Sequence, residues 1–299
     1  MTNTYENIEF ESEGATLRGR LHKSATPEAT LIVMAHGFSA TAHMSINAFA
    51  VHLAEAGHHV FAYDHRNFGT SDGEPRFAVD QWCQIRGYSD AITHILNVAG
   101  VTTERIVVWG ESMGGATVQF VAAFDSRVTG VIAHTPGCGE QYVEPAADSS
   151  DFAAMKAYWE EGDLSDEPAA TVAVRFADLP TSEAPVILNF DAARDYAETY
   201  GERAESLWSN DVDIIVRKAP ELSVPVAAAQ LTVPTLFIVA SDDEVAPASP
   251  AVARECFDSI AAAKVWENID GGHFGLLYED SELFHKVIDV DLAFLGEHL

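Results

Sequence analysis

Positive charge is what this chain has least of. Lysine and arginine together number 17 against 46 aspartates and glutamates, a formal net charge of −29 at pH 7, and only five of the bases are lysine. A surface of that sign repels nucleic acid and anionic membranes, so neither is expected as a partner. Cysteine is scarce as well. Cys83, Cys138 and Cys256 are widely spaced and odd in number, which argues against a disulfide framework and reads as buried thiols in a reducing, cytoplasmic setting. No apolar run reaches the roughly 18 residues that a membrane span requires. The opening stretch, Met1 to Glu6, has neither a basic start nor an apolar core, so no secretory signal is expected. Metal-ligand spacing of the H-E-x-x-H kind is missing, and the sequence asks for no metal and no cofactor.

Apolar residues, by contrast, are plentiful. They make up 47% of 299 positions, enough for one large domain plus a smaller insertion. The excess acid admits two readings: an ordinary acidic enzyme kept soluble by its charge, or a halophilic one whose self-repulsion is screened by a salt-rich habitat.

Apolar strands and helical stretches take turns along the chain. Ile8–Glu11 and Leu17–His22 alternate like an antiparallel entry hairpin. Apolar strand runs follow at Thr30–Ala35, His59–Tyr63, Ile106–Trp109, Val128–His134, Leu236–Ala240 and Val265–Asn268. Helical candidates lie at Ser45–Ala56, Val79–Asn97, Met113–Phe124, Ala251–Ala262 and Leu283–Leu295. This is the pattern of an α/β fold, a doubly wound, mostly parallel sheet with helices on both faces. The alternation stops between residues 136 and 230, too long a stretch for an ordinary connection. Its pieces Phe152–Trp159, Ala169–Phe176 and Ala192–Trp208 are aromatic-bearing and amphipathic and read as cap helices. The expected division is therefore a core of residues 1–135 and 231–299 with a helical cap at 136–230.

The most informative segment is Gly110-Glu111-Ser112-Met113-Gly114-Gly115, directly behind the strand Arg105–Trp109. A G-x-S-x-G between strand and helix is the nucleophile elbow, a tight turn that lifts one serine hydroxyl above the sheet and needs small residues on either side. Serine is a weak nucleophile until a histidine takes its proton and a carboxylate holds that imidazole. Carboxylates stand at the tip of the strand ending in Ala240, in Ser241-Asp242-Asp243-Glu244-Val245-Ala246-Pro247. The histidine follows in Asp270-Gly271-Gly272-His273-Phe274-Gly275. Chain order is Ser, Asp, His.

These segments, with His36-Gly37-Phe38 behind the first parallel strand, resemble the α/β-hydrolase superfamily over nearly the whole chain. Among its branches, the dienelactone-hydrolase-like esterases with a modest cap are the most similar. Tyr63–Pro75 is similar to the family turn D-x-R-G-x-G-x-S, with Asn67 where glycine is usual. The resemblance implies Ser112 as nucleophile, His273 as base and an oxyanion hole from the backbone N–H groups of Phe38 and Met113. The family spacing Asp-x-x-x-Pro selects Asp243, with Pro247, over Asp242. His36 is expected to brace its loop, while Glu111 has no assigned step and reads as a surface or pocket carboxylate.

The resulting expectation is a serine hydrolase that cleaves carboxylic esters, lactones or thioesters of small to medium acyl groups through an acyl-enzyme on Ser112. Acyl transfer and carbon–carbon bond hydrolysis by the same triad stay open as alternatives, and a non-catalytic receptor is disfavoured by the complete triad. The partner is a small-molecule acyl substrate; homo-oligomerisation is left open.

Overall fold

The computed structural model describes residues 4–146, 148–279 and 281–299. Met1 to Asn3, part of the N-terminal stretch read above, lie outside them.

Five strands of the larger sheet are buried at every residue: β3 (Leu31–Ala35), β4 (His59–Tyr63), β6 (Ile106–Glu111), β7 (Gly130–His134) and β11 (Thr235–Ala240). Continuous apolar composition is what a strand covered on both faces requires. Successive residues nevertheless serve different cores. Leu31, Val33, Ile106, Val108, Phe237 and Val239 enter one, while Ile32, Met34, Val107, Trp109, Leu236 and Ile238 enter the other. The first core is closed by α2 (Gln81–Asn97), α3 (Met113–Phe124) and α7 (Pro250–Ser259), the second by α1 (Asn47–Glu55) and α8 (Glu282–His298).

With β1 (Glu6–Ser12), β2 (Ala15–His22) and β12 (Lys264–Ile269), the strands form an eight-stranded sheet among the described residues, ordered β1-β2-β4-β3-β6-β7-β11-β12. The β1–β2 and β2–β4 pairings are antiparallel and the others parallel. The chain steps from β3 outward to β4, then returns to lay β6 on the opposite side of β3. That reversal opens a crevice beyond the C-terminal ends of β3 and β6, where ligands bind in sheets of this type.

After β7 the chain leaves the sheet for α4 (Ser150–Glu161), and rejoins it through α6 (Val224–Ala228). The excursion differs from a purely helical one. Ala169–Phe176, expected as a helix, is strand β8 (Ala170–Ala177). It pairs antiparallel with β10 (Asp211–Val216) and parallel with β9 (Val186–Leu188). β10 also pairs with the two-residue β5 (Ala78–Val79), giving a small second sheet ordered β5-β10-β8-β9. Val172, Val174 and Phe176 repeat with period two, which fits a strand once β10 is there to pair with it, and Val174 and Phe176 are buried. The helix expected over Ala192–Trp208 is regular only in α5 (Asp191–Tyr196), continuing as a wider π-type turn to Gly201. No helix among the described residues is long and apolar enough to cross a membrane.

Candidate active site

Space decides the elbow before chemistry does. β6 turns into α3 at a single residue, and Ser112 makes the turn at φ 56°, ψ −122°, a strained conformation for any residue with a side chain. The turn presses strand end against helix start. A Cβ on Gly110 would overlap the Gly114 carbonyl, and one on Gly115 would lie 3.0 Å from the His134 oxygen. Ser112 N–H donates to the His134 carbonyl at 2.9 Å, and Gly137 N–H donates to the Ser112 carbonyl at 2.9 Å, so neighbouring segments fix the turn from both ends.

From this turn the Ser112 hydroxyl donates to Nε2 of His273 at 2.9 Å. Nδ1–H of His273 is shared between the oxygens of Asp243 at 2.8 and 3.0 Å. A carboxylate only accepts, so the proton sits on Nδ1 and Nε2 is the free acceptor. The His273 and Asp243 side chains are 2% and 0% exposed, and Asp243 also accepts from Val245 N–H at 2.9 Å. Asp242 is exposed and joins the site only through its backbone, whose N–H donates to Gly271 O at 3.0 Å. Asp270 is likewise exposed and outside the cluster.

Phe38, Ser112 and Met113 line one cleft of about 760 Å³. The Phe38 and Met113 amides donate no hydrogen bond among the described residues, whereas Gly37 N–H is taken: it donates to Glu111 Oε1 at 2.7 Å. Met113 N–H also opens the first turn of α3, the positive end of that helix.

Two carboxylates without a role readable from sequence matter here. Glu111 is no surface residue: it is 4% exposed and anchors the turn after β3 to the strand that carries Ser112. Gly37 is the small residue that lets it do so, since a Cβ there would meet the carboxylate. Burial pushes the Glu111 pKa up, while His273, the Gly37 N–H and His134 act the other way. Glu244 accepts from His273 N–H at 2.9 Å and ties the histidine loop to the acid turn. Both roles depend on where loop backbones meet in space, which residue spacing does not carry.

Three other histidines are engaged in contacts outside this relay. His36 donates from Nδ1 to Gly37 O at 2.9 Å and accepts at Nε2 from His65 N–H at 3.1 Å; burial lowers its pKa and keeps it neutral. His43 faces Arg20, and His134 donates to Asp291 at 2.8 Å beneath the elbow. Asn67 stands at φ 76°, a left-handed position that asparagine tolerates nearly as glycine does, which explains the exchange in that turn.

Residues 30–280 match the family described as the alpha/beta hydrolase fold. The chain belongs to this family. Among curated relatives, this α/β-hydrolase is similar to the quorum-quenching protein AidA of Acinetobacter baumannii, 34% identical over 131 residues that cover 44% of this chain and 43% of that one. It is also similar to the thiohydrolase aneE of Aspergillus aculeatus, 40% identical over 134 residues that cover 44% and 42%. The matches thus span under half the length of these relatives. The crystal structure of the α/β-hydrolase GrgF from Penicillium sp. sh18 covers 99% of both chains at a TM-score of 0.74 and 22% identity, a likeness of fold.

Proposed function

We propose that this α/β-hydrolase is a serine esterase that cleaves small to medium carboxylic esters, lactones or thioesters through an acyl-enzyme on Ser112. The observation that carries the reading is the unbroken hydrogen-bond chain from Ser112 through His273 to Asp243, opening into the cleft. His273 Nε2 takes the hydroxyl proton as Ser112 Oγ attacks the acyl carbon, and Asp243 stabilises the imidazolium that forms. The oxyanion receives the Phe38 and Met113 N–H groups, each such donor contributing about 3 kcal/mol. His273 passes its proton to the leaving group, then activates water to release the acyl group.

The excursion at 136–230 acts in this reading as a cap that limits acyl length and excludes water. Its residues Gly137, Val143, Leu188, Phe190 and Leu222 line the cleft beside Ser112. Phe38 narrows the acyl side at the oxyanion turn. The test is fluorophosphonate labelling of wild type and Ser112→Ala, followed by p-nitrophenyl esters from acetate to palmitate. Labelling that depends on Ser112, with turnover falling toward palmitate, is expected. Labelling that survives Ser112→Ala would sink the assignment.

A second reading, acyl transfer, draws support from several relatives named as transferases. The acyltransferase drtE of Aspergillus calidoustus is 30% identical over 171 residues, 57% of this chain and 55% of that protein. It predicts that added alcohol or amine acceptors capture the acyl group in place of water.

A further inference from the structure

We infer that the cleft above Ser112 selects against negative charge, taking acyl substrates that are neutral or cationic; the inference rests on Ser112 as acyl acceptor. Two kinds of residue build the wall. Phe38, Met113, Phe120, Leu188 and Phe190 make it apolar, a surface for a hydrocarbon acyl body. Its charged residues are Glu140, Glu221 and Glu244, all exposed, with no lysine or arginine lining the cleft among the described residues.

The three carboxylates come from three separate segments: the loop after β7, the loop before α6 and the acid turn after β11. The charge is therefore not the by-product of one acidic loop. It also stands on a chain of net charge −29, so the longer-range field has the same sign as the local one. An anionic acyl end finds no counter-ion in the cleft and meets like charge around it.

The magnitude is readable. Three unit charges about 8 Å from an acyl end, in a water-like dielectric, lower kcat/KM for a carboxylate-tipped substrate on the order of tenfold. Salt erodes the effect as the Debye length shrinks from about 10 Å at 0.1 M to about 3 Å at 1 M. A thioester on a coenzyme A or phosphopantetheine arm brings phosphates to the same opening and is disfavoured for the same reason.

The experiment uses three p-nitrophenyl hexanoates that differ only at the far end of the acyl chain: methyl, carboxylate or trimethylammonium. Each is assayed against a Ser112→Ala blank at low and high KCl, in wild type and in the Glu140→Gln/Glu221→Gln double variant. The readout is the carboxylate-to-methyl ratio of kcat/KM within each protein, so a general loss of activity cancels. Wild type should show a ratio on the order of one tenth at low salt, a trimethylammonium ester at least as good as the methyl one, and convergence at high salt. The double variant should raise the carboxylate ratio several-fold. Equal rates for methyl and carboxylate esters, or a ratio that neither salt nor the double variant moves, would overturn the charge selection while leaving Ser112 in place. Absence of turnover on all three esters would overturn the esterase reading and this one with it.

Discussion

Glu111 holds a carboxylate almost fully out of water, one residue before the proposed nucleophile. Its pKa is raised by that burial, so the folded state binds the proton more tightly than the unfolded chain does. The sign follows: stability is fully present below the ordinary glutamate pKa and declines as pH rises through the raised one. Glu111→Gln keeps an acceptor for Gly37 N–H and removes the ionisation. Its Tm should match wild type at acid pH and exceed it at neutral pH; a lower Tm at neutral pH would refute the account. The same change removes a negative charge that faces His273 and should reduce kcat on the order of tenfold, because the imidazolium formed as Ser112 attacks loses that stabilisation. For the acid, Asp243→Asn should cost about 10⁴ in kcat with the fold intact, since the amide no longer enforces the Nδ1–H tautomer. Asp242→Asn should cost little, and steady-state kinetics with circular dichroism separates the two. Ser112 and its glycines were legible in sequence because sterics leaves an elbow few choices, and His273 from chain order and the family resemblance. Asp243 needed the family spacing as well. Glu111 and Glu244 were not legible, because their partners are backbone N–H groups of residues distant in sequence.

At the scale of elements, α8 is more than a lid on the second core. Asp291, 0% exposed, accepts from Trp109 Nε1 at 3.1 Å on β6 and from His134 Nε2 at 2.8 Å on β7. One carboxylate thus joins a helix to the two strands that flank the elbow. Asp291→Ala leaves two buried donors unpaired and should lower unfolding free energy by about 3 kcal/mol, measurable as a shifted urea midpoint with an unchanged slope. A shift below about 1 kcal/mol would show that the donors find water instead. The core strands could be read directly, since five continuous apolar runs between helical periods have few alternatives. β8 could not. Its aromatic and small residues suit a helix face as well as a strand, and the choice was made by pairing with β10, whose residues lie far along the chain. The pairing of β5 with β10 was invisible for the same reason: two residues carry no period.

At the scale of the whole molecule, charge sets the expectation. With −29 to spread over the surface, Tm should rise substantially between about 0.1 M and 1 M KCl, beyond what the first decade of screening provides. A flat Tm over that range would remove the halophilic reading and leave the acidity unexplained. The excursion at 136–230 and the main sheet also meet in a way that bears on redesign. Phe274, the residue after His273, stacks on Tyr196 at 4.8 Å and meets Phe176 and Phe190 at 6.1 Å, while the Ser45 and Tyr196 hydroxyls lie 3.1 Å apart. An engineer who excised the insertion to widen the cleft would strip three aromatic supports from the loop that aims the imidazole. On the proposed mechanism the enzyme would lose the support of its base along with part of the cleft wall, so broader substrate scope must come from trimming side chains at the opening, not from removing the module.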